Sequence, residues 1–582
     1  MKTLKYILPI ALVGLTMSSC DDLFEPANEM IVDESAMIND PSLAVGLLGN
    51  TFNLLPYSGT PGSDMATDDA VSASQGSNWY NMAAGSWSSQ NDPRSEWQAR
   101  NIAIQYCNMF LANVEQVVWA GDEALNTMFI DHMKGNGLGM RAIQRFYLLR
   151  AHGGKVGNEL MGIPVVNEYQ TGSSDFNQPR ATFQESLDAI LADIEEASAL
   201  LPETYGDIAS ASQIPAKYNG ATMAQYNRAF GTHQSGKVDG RILKALKAQV
   251  LLFAASPAYG VVSWDQAAQA AAAVVAGNQV VANGNEWYIK ENGVDNFVRG
   301  VNLPEMIWMS YPGKNNDVES NNFPPSLNGN GTVNPSQNLV DAFPAANGFP
   351  ITDARSNYDA SKPYENRDPR LNMYIVVDGS TLGVDNEVIT TGNYNENLSS
   401  LNHENGRSTR TGYYMRKLTR SDVNLSSTSS TTQYHFNARI RWTELFLAYA
   451  EAANEAVGPT TAVSGTTQTA KSIIKAIRER AGICVGTTDP YLDECAGSKE
   501  KMRELIRNER RLELCFENQR FYDLRRWNLN LNETVKGVKI LTAGKYEYFD
   551  VDTRNYKDYQ TYGPIPYSEL MKYNNLEQNQ GW

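Results

Sequence analysis

Two short stretches of the 582-residue chain concentrate flat aromatic rings beside side-chain amides. Trp79, Tyr80 and Trp87 stand with Asn78, Asn81 and Gln90 in a segment rich in Gly, Ser and Asn, and Trp308, Tyr311, Asn315 and Asn316 follow far downstream. A ligand with apolar C–H faces and hydroxyl rims, such as a saccharide, calls for this combination: the ring stacks on the C–H face and the amides fix orientation. Trp79, Tyr80, Trp87, Asn78, Asn81, Tyr311, Asn315 and Asn316 are therefore the candidate ligand-binding residues. Core packing is the competing use of each ring and is strongest for Trp308, while Trp97 and Trp442 fall inside helical patterns and are set aside.

Catalytic chemistry has weaker support. Glycoside hydrolysis needs two carboxylates roughly 5 to 10 Å apart, and Asp68-Asp69 is the pair that invites that reading. Adjacent carboxylates in a loop tend to point apart, and no nucleophile elbow, HExxH or phosphate loop accompanies them. His132, His152, His233, His403 and His435 lack metal-ligand spacing, and 378–387 does not follow the EF-hand pattern, so neither metal nor cofactor is expected. Cys107, Cys484, Cys495 and Cys515 form no CxxC pair and read as packing residues, with a Cys484–Cys495 disulfide left open.

With 49 Lys and Arg against 65 Asp and Glu, the formal charge of −16 argues against nucleic acid or acidic lipid as the ligand and favours an uncharged or mixed one. The composition, 42% hydrophobic and 20% charged, suits a large globular body. At the start, Lys2 and Lys5 precede an apolar run over 6–17 that closes on Ser18-Ser19-Cys20. This reads as a lipoprotein signal (1–19) followed by an acylated Cys20 and an acidic tether (20–39). Two or more acyl chains would anchor the protein stably in a membrane. No later run approaches the twenty apolar residues of a spanning helix.

The elements that would position the candidate residues are mostly helical. Over 40–279 apolar residues recur at helical spacing. In 97–119, Ile102, Tyr106, Met109, Phe110, Val114 and Val117 share one face and Arg100, Gln105 and Glu115 lie off it. A helix over 141–152 should stop at Gly153-Gly154 through left-handed backbone, and Thr182-x-x-Glu185 is a capping box that opens another. Small residues at 245, 248, 254, 268, 271 and 272 form an alanine seam between helices over 241–255 and 264–276, as in tetratricopeptide-type stacks. From 280 to 435 Asn, Gly, Ser and Pro rise, giving a loop-rich lobe with short strands near 306–310, 373–377 and 413–416. Helices resume near 438–456, 467–481 and 499–517, in a C-terminal part (436–582). The expected fold is mainly α: a tetratricopeptide-like helical scaffold with a loop-rich lobe.

Within 509–527 the sequence ERRLELCFENQRFYDLRRW interleaves charge with large apolar groups, offering the intrahelical pairs Arg510–Glu513 and Glu517–Arg520. This stretch resembles the signature of the SusD/RagB family. Arg145-Phe146-Tyr147-Leu148-Leu149-Arg150 with Gly153-Gly154 and Gly162-Ile163-Pro164, then Pro179-Arg180-Ala181-Thr182, Arg441-Trp442-Thr443-Glu444, Ile477-Arg478-Glu479-Arg480, Pro564-Ile565-Pro566 and Asn579-Gln580-Gly581-Trp582, agree with its pattern in order. The resemblance implies a non-catalytic lipoprotein of the outer membrane, facing the cell exterior. Such a protein captures an oligosaccharide or polysaccharide for a TonB-dependent, SusC-like transporter. Peptide capture is the alternative within the family. The signature residues are implied to be structural rather than ligand sites.

Overall fold

The computed structural model describes residues 34–582 apart from 293, 299, 405 and 543. Cys20 and the signal lie outside the described residues. The segment expected as tether is helical from Glu34 to Asn39, directly before a helix at Pro41–Asn53 whose N-terminus is capped by the Asp40 carboxylate.

The helical body is a relay of neighbours. Trp97–Asn113 packs on Glu123–His152, which packs on Phe183–Leu200, and Gly240–Ala255 packs on Trp264–Val275. The chain leaves this body after Val275 and re-enters at Trp442–Val457, which lies against Trp264–Val275 and receives Ala470–Arg480 and Lys499–Glu513 on its other sides. All six seam alanines are 2% exposed or less. Their small side chains let the helices approach closely, the packing of a tetratricopeptide-like scaffold.

Local chemistry sets the boundaries. Thr182 Oγ1 accepts from the Glu185 backbone N–H at 3.1 Å while the Glu185 carboxylate accepts from the Thr182 N–H at 2.8 Å, closing the expected capping box. The helix so opened buries Phe183, Leu187, Ile190 and Ile194, each contributing about 1.5–3 kcal/mol. Two expectations need correction. Gly153 ends its helix in extended, not left-handed, backbone. The glycines serve close packing instead: a Cβ on Gly154 would lie 2.6 Å from Tyr562 Cβ. In Trp97–Asn113 Met109 and Phe110 are buried as expected, but Arg100 also turns inward, held by Glu96 at 2.9 Å and by the Leu54 carbonyl, while Ile102 is 40% exposed. A guanidinium that finds both a carboxylate and a carbonyl outcompetes an isoleucine for that site.

The described strands form two-stranded sheets. Met306–Met309 pairs antiparallel with Ala438–Arg441, and Gly313–Asn315 with Gln433–His435, so the two ends of the loop-rich lobe are stitched together. The strands expected at 373–377 and 413–416 shrink to Ile375–Val376 and Tyr414–Met415, the first following a short helix at Arg370–Tyr374. The C-terminal part also contains an unexpected hairpin, Thr534–Thr542 with Lys545–Thr553. A register shift at Val535/Lys536 breaks the alternation of its buried Val535, Val538 and Ile540, which hides the strand from a period-two reading. No helix among the described residues is long and apolar enough to cross a membrane.

Candidate binding cavity

A cavity of about 790 Å³ opens where the loop-rich lobe meets the helical body. Its mouth carries Trp79 from one predicted cluster and Tyr311 and Asn315 from the other, so segments far apart in sequence face one space. The Met306–Met309 pairing carries Tyr311 to the rim, and Gly313–Asn315 is fixed by its own partner strand. Tyr311 is 52% exposed and its hydroxyl donates to the Ser235 carbonyl at 3.0 Å. Trp79 is half-buried, with the Gly62 backbone against its indole: a Cβ there would sit 2.7 Å from Nε1.

The other candidates lie elsewhere. Trp87 is 4% exposed, edge-on to Phe521, Tyr556 and Trp582 at 4.8 to 6.1 Å and flanked by Arg94 and Arg525, so its faces are occupied. Tyr80 is off the cavity with the Arg410 guanidinium 5.3 Å from its ring centre. Asn78 and Asn81 sit on the same short helix as Trp79 but do not line the cavity. Asn316 is tied to Ser430 Oγ and the Thr431 carbonyl. Trp308 is 1% exposed, donating to the Gly236 carbonyl at 2.9 Å.

The floor belongs to the charged C-terminal stretch, which departs from the expected intrahelical pairing. Lys499–Glu513 ends, the chain turns through left-handed Phe516 (φ 63°) and Asn518 (φ 59°), and Arg520–Arg526 begins, so Glu517 and Arg520 share no helix. The charges pair across the fold instead. Arg510 and Arg526 clamp Asp523 at 2.7 and 2.8 Å, and Glu517 meets Lys417 at 2.6 Å and Arg441 at 2.8 Å. Below them Glu513 bridges Arg370 (3.0 Å) and Arg480 (2.7 Å), while Glu509 bridges Arg370 and Arg478, both at 2.9 Å. Burial would raise the Glu513 carboxyl, but Arg480, Arg370, Arg441 and Lys417 hold it down at about 2.

Asp68 and Asp69 belong to the same lattice. Arg511 reaches both, at 2.9 and 2.6 Å, and Arg520 reaches Asp68 at 2.8 Å. The two guanidiniums outweigh the burial of Asp68 and keep it well below the usual carboxylate range, as a structural pin. Asn518 knots floor to mouth: its Oδ1 accepts from Ser63 N–H and Oγ at 3.0 Å, its Nδ2 donates to the Thr60 carbonyl, and its backbone N–H donates to Asp64. Cys107, Cys484, Cys495 and Cys515 are free thiols.

A row of rings interleaved with two guanidiniums runs along and behind one wall. Arg150 lies between Tyr522 and Tyr147 (3.8 and 4.2 Å), Tyr147 contacts Tyr57 edge-on at 5.4 Å, Tyr57 contacts Trp308 at 5.6 Å, and Arg439 covers Trp308 at 4.6 Å. Tyr57 and Arg439 escaped the sequence reading because neither sits in an aromatic-amide cluster, and Arg150 because its motif reads as scaffold.

The family profile described as the SusD family matches residues 300–582, and a second, described as starch-binding and associating with the outer membrane, matches 31–224. The chain belongs to the SusD family. That family description puts it at the outer membrane. A SusD-like protein from Bacteroides fragilis superposes with a TM-score of 0.71 at 22% identity, covering 96% of this chain and all of its own. A SusD-like carbohydrate-binding protein of the same species gives 0.67 at 20% identity, over 93% and 100%. SusD-like protein P2 of Formosa agariphila is 32% identical over 140 residues, 24% of either chain, so the match spans about a quarter of that relative. The SusD fold thus accounts for the helical relay and the lobe between its halves.

Proposed function

We propose that this SusD-family protein is a cell-surface lipoprotein that binds an oligosaccharide or polysaccharide in the cavity and passes it to a TonB-dependent, SusC-like transporter. The observation that carries the reading is the convergence of Trp79 and Tyr311 on one cavity with Asn315, Asn321 and Gln519 around them. Rings supply stacking faces and amides supply paired donors and acceptors, the two demands of a sugar. The carbohydrate-binding description of a structural neighbour agrees with it.

Binding of purified protein to a panel of polysaccharides, with peptide mixtures alongside, tests the reading. Saccharide binding without product formation supports it, and peptide binding alone overturns it. Anchoring through Cys20 is tested separately: Cys20→Ala should move the protein from the membrane to the soluble fraction, and unchanged membrane retention would rule the acyl anchor out.

A further inference from the structure

Within a chain rich in acidic groups, the arginines lining the cavity divide sharply. Arg94, Arg441, Arg510 and Arg526 each have a carboxylate partner. Arg150 and Arg439 line the same cavity, and among the described residues neither has an ion pair or a hydrogen bond to its guanidinium; each has only ring faces. The surroundings of the two differ. Glu96 and Glu444 bear on Arg150 from beyond ion-pair distance, whereas the titratable groups bearing on Arg439 are the tyrosines Tyr57 and Tyr311. Arg439 is thus a partly buried cation facing no acid, beside the exposed ring of Tyr311.

Stacking on Trp308 holds the Arg439 guanidinium plane in place and leaves its edge N–H groups unmet. A fixed fork of donors suits a planar carboxylate or a sulfate oxygen pair. We infer that the ligand is an anionic saccharide, bearing a uronic-acid carboxylate or a sulfate ester that Arg439 binds while Tyr311 stacks on a neighbouring sugar face. This rests on the glycan reading above and narrows it. The net charge of −16 opposes a polyanion at long range, but at 0.15 M salt that field is screened within about 8 Å, and contact with Arg439 decides.

Titration calorimetry at 0.15 M salt with oligogalacturonate, chondroitin sulfate oligosaccharides and neutral laminarin oligosaccharides tests it, on the unmodified protein and on Arg439→Gln and Arg439→Lys. The expected result is preference for one anionic arm, the carboxylate or the sulfate, by about tenfold or more. Arg439→Gln should weaken that arm by roughly 10- to 100-fold, the loss of a charge-assisted pair, and Arg439→Lys less. A melting curve and a circular-dichroism spectrum of each variant report an intact fold. Anionic binding untouched by Arg439→Gln overturns the inference. So does binding of laminarin alone, which leaves the glycan reading standing; binding of peptides with no saccharide overturns both.

Discussion

At the cavity floor Arg510 and Arg526 are 4% exposed and each meets Asp523 below 3 Å, whereas at the mouth Tyr311 is 52% exposed and Asn315 lies on a three-residue strand. Floor charges are consumed by one another across elements that come from all parts of the chain. At the mouth the Tyr311 ring stays exposed and Trp79 lines the cavity beside it. The contrast separates what holds the fold from what meets the ligand, although both line one space. Signature residues on a cavity surface are therefore no evidence of ligand contact when their polar atoms are already spoken for, and an unpaired guanidinium such as Arg439 is the informative exception.

The largest effect expected is on the floor. Glu513→Ala would take the carboxylate partner from the buried Arg480 and one of three from Arg370. Breaking a buried pair from one side costs about 3–5 kcal/mol, so the variant should melt far lower or fail to accumulate. Because Glu513 titrates at about 2 when folded, below the unfolded value, its contribution is full above about pH 4.5 and is lost as pH falls toward 2. Thermal denaturation of the variant at neutral pH checks this, and an unchanged melting temperature would break the contrast between floor and mouth.

At the mouth the balance shifts: binding should suffer most, with little cost in stability at the 52% exposed Tyr311 and a larger one at Trp79, which also packs against the core. Trp79→Ala and Tyr311→Ala each remove a ring face, a loss of roughly 1.5–3 kcal/mol for a ring fully covered by ligand, or about tenfold and upward in affinity. Calorimetry with whichever saccharide binds, beside a melting curve, separates the two readouts. Trp87→Ala supplies the converse, lowering stability by about 3–5 kcal/mol as a buried aromatic does.

The distinction between Trp79 and Trp87 shows where sequence runs out. Both stand in the same Gly/Ser-rich segment with amide neighbours, yet one lines the cavity and the other is enclosed by Phe521, Tyr556 and Trp582 from the far end of the chain. Local patterns encode local contacts, so the Thr182 capping box, the alanine seam and the order of family motifs were legible. The Arg511–Asp68 pair joins residues 443 positions apart and left no local trace, and the tertiary partners of Arg510 and Glu517 displaced the intrahelical ones that spacing suggested. Likewise, that Trp79 and Tyr311 share a cavity depends on strand pairings at 306–315 and 433–441 that bring the lobe back onto the body.

The last effect expected lies where the two regions touch. Asp64 is 0% exposed, with Oδ2 accepting from the Asn518 N–H at 2.8 Å and Oδ1 without a partner. Burial pushes its carboxyl up to about 8, against the backbone hydrogen bond from Asn518. A folded value above the unfolded one means the native state binds the extra proton, so stability falls as pH rises from about 4 to about 8 and stays reduced above. Asp64→Asn keeps an acceptor for Asn518 and removes the charge. It should flatten that slope and gain stability at pH 8, with little change near pH 4. Denaturant unfolding of both proteins across that range reads the difference directly. A variant that loses stability equally at every pH would mean that Asp64 is held as an ion, making this junction one more paired element of the floor.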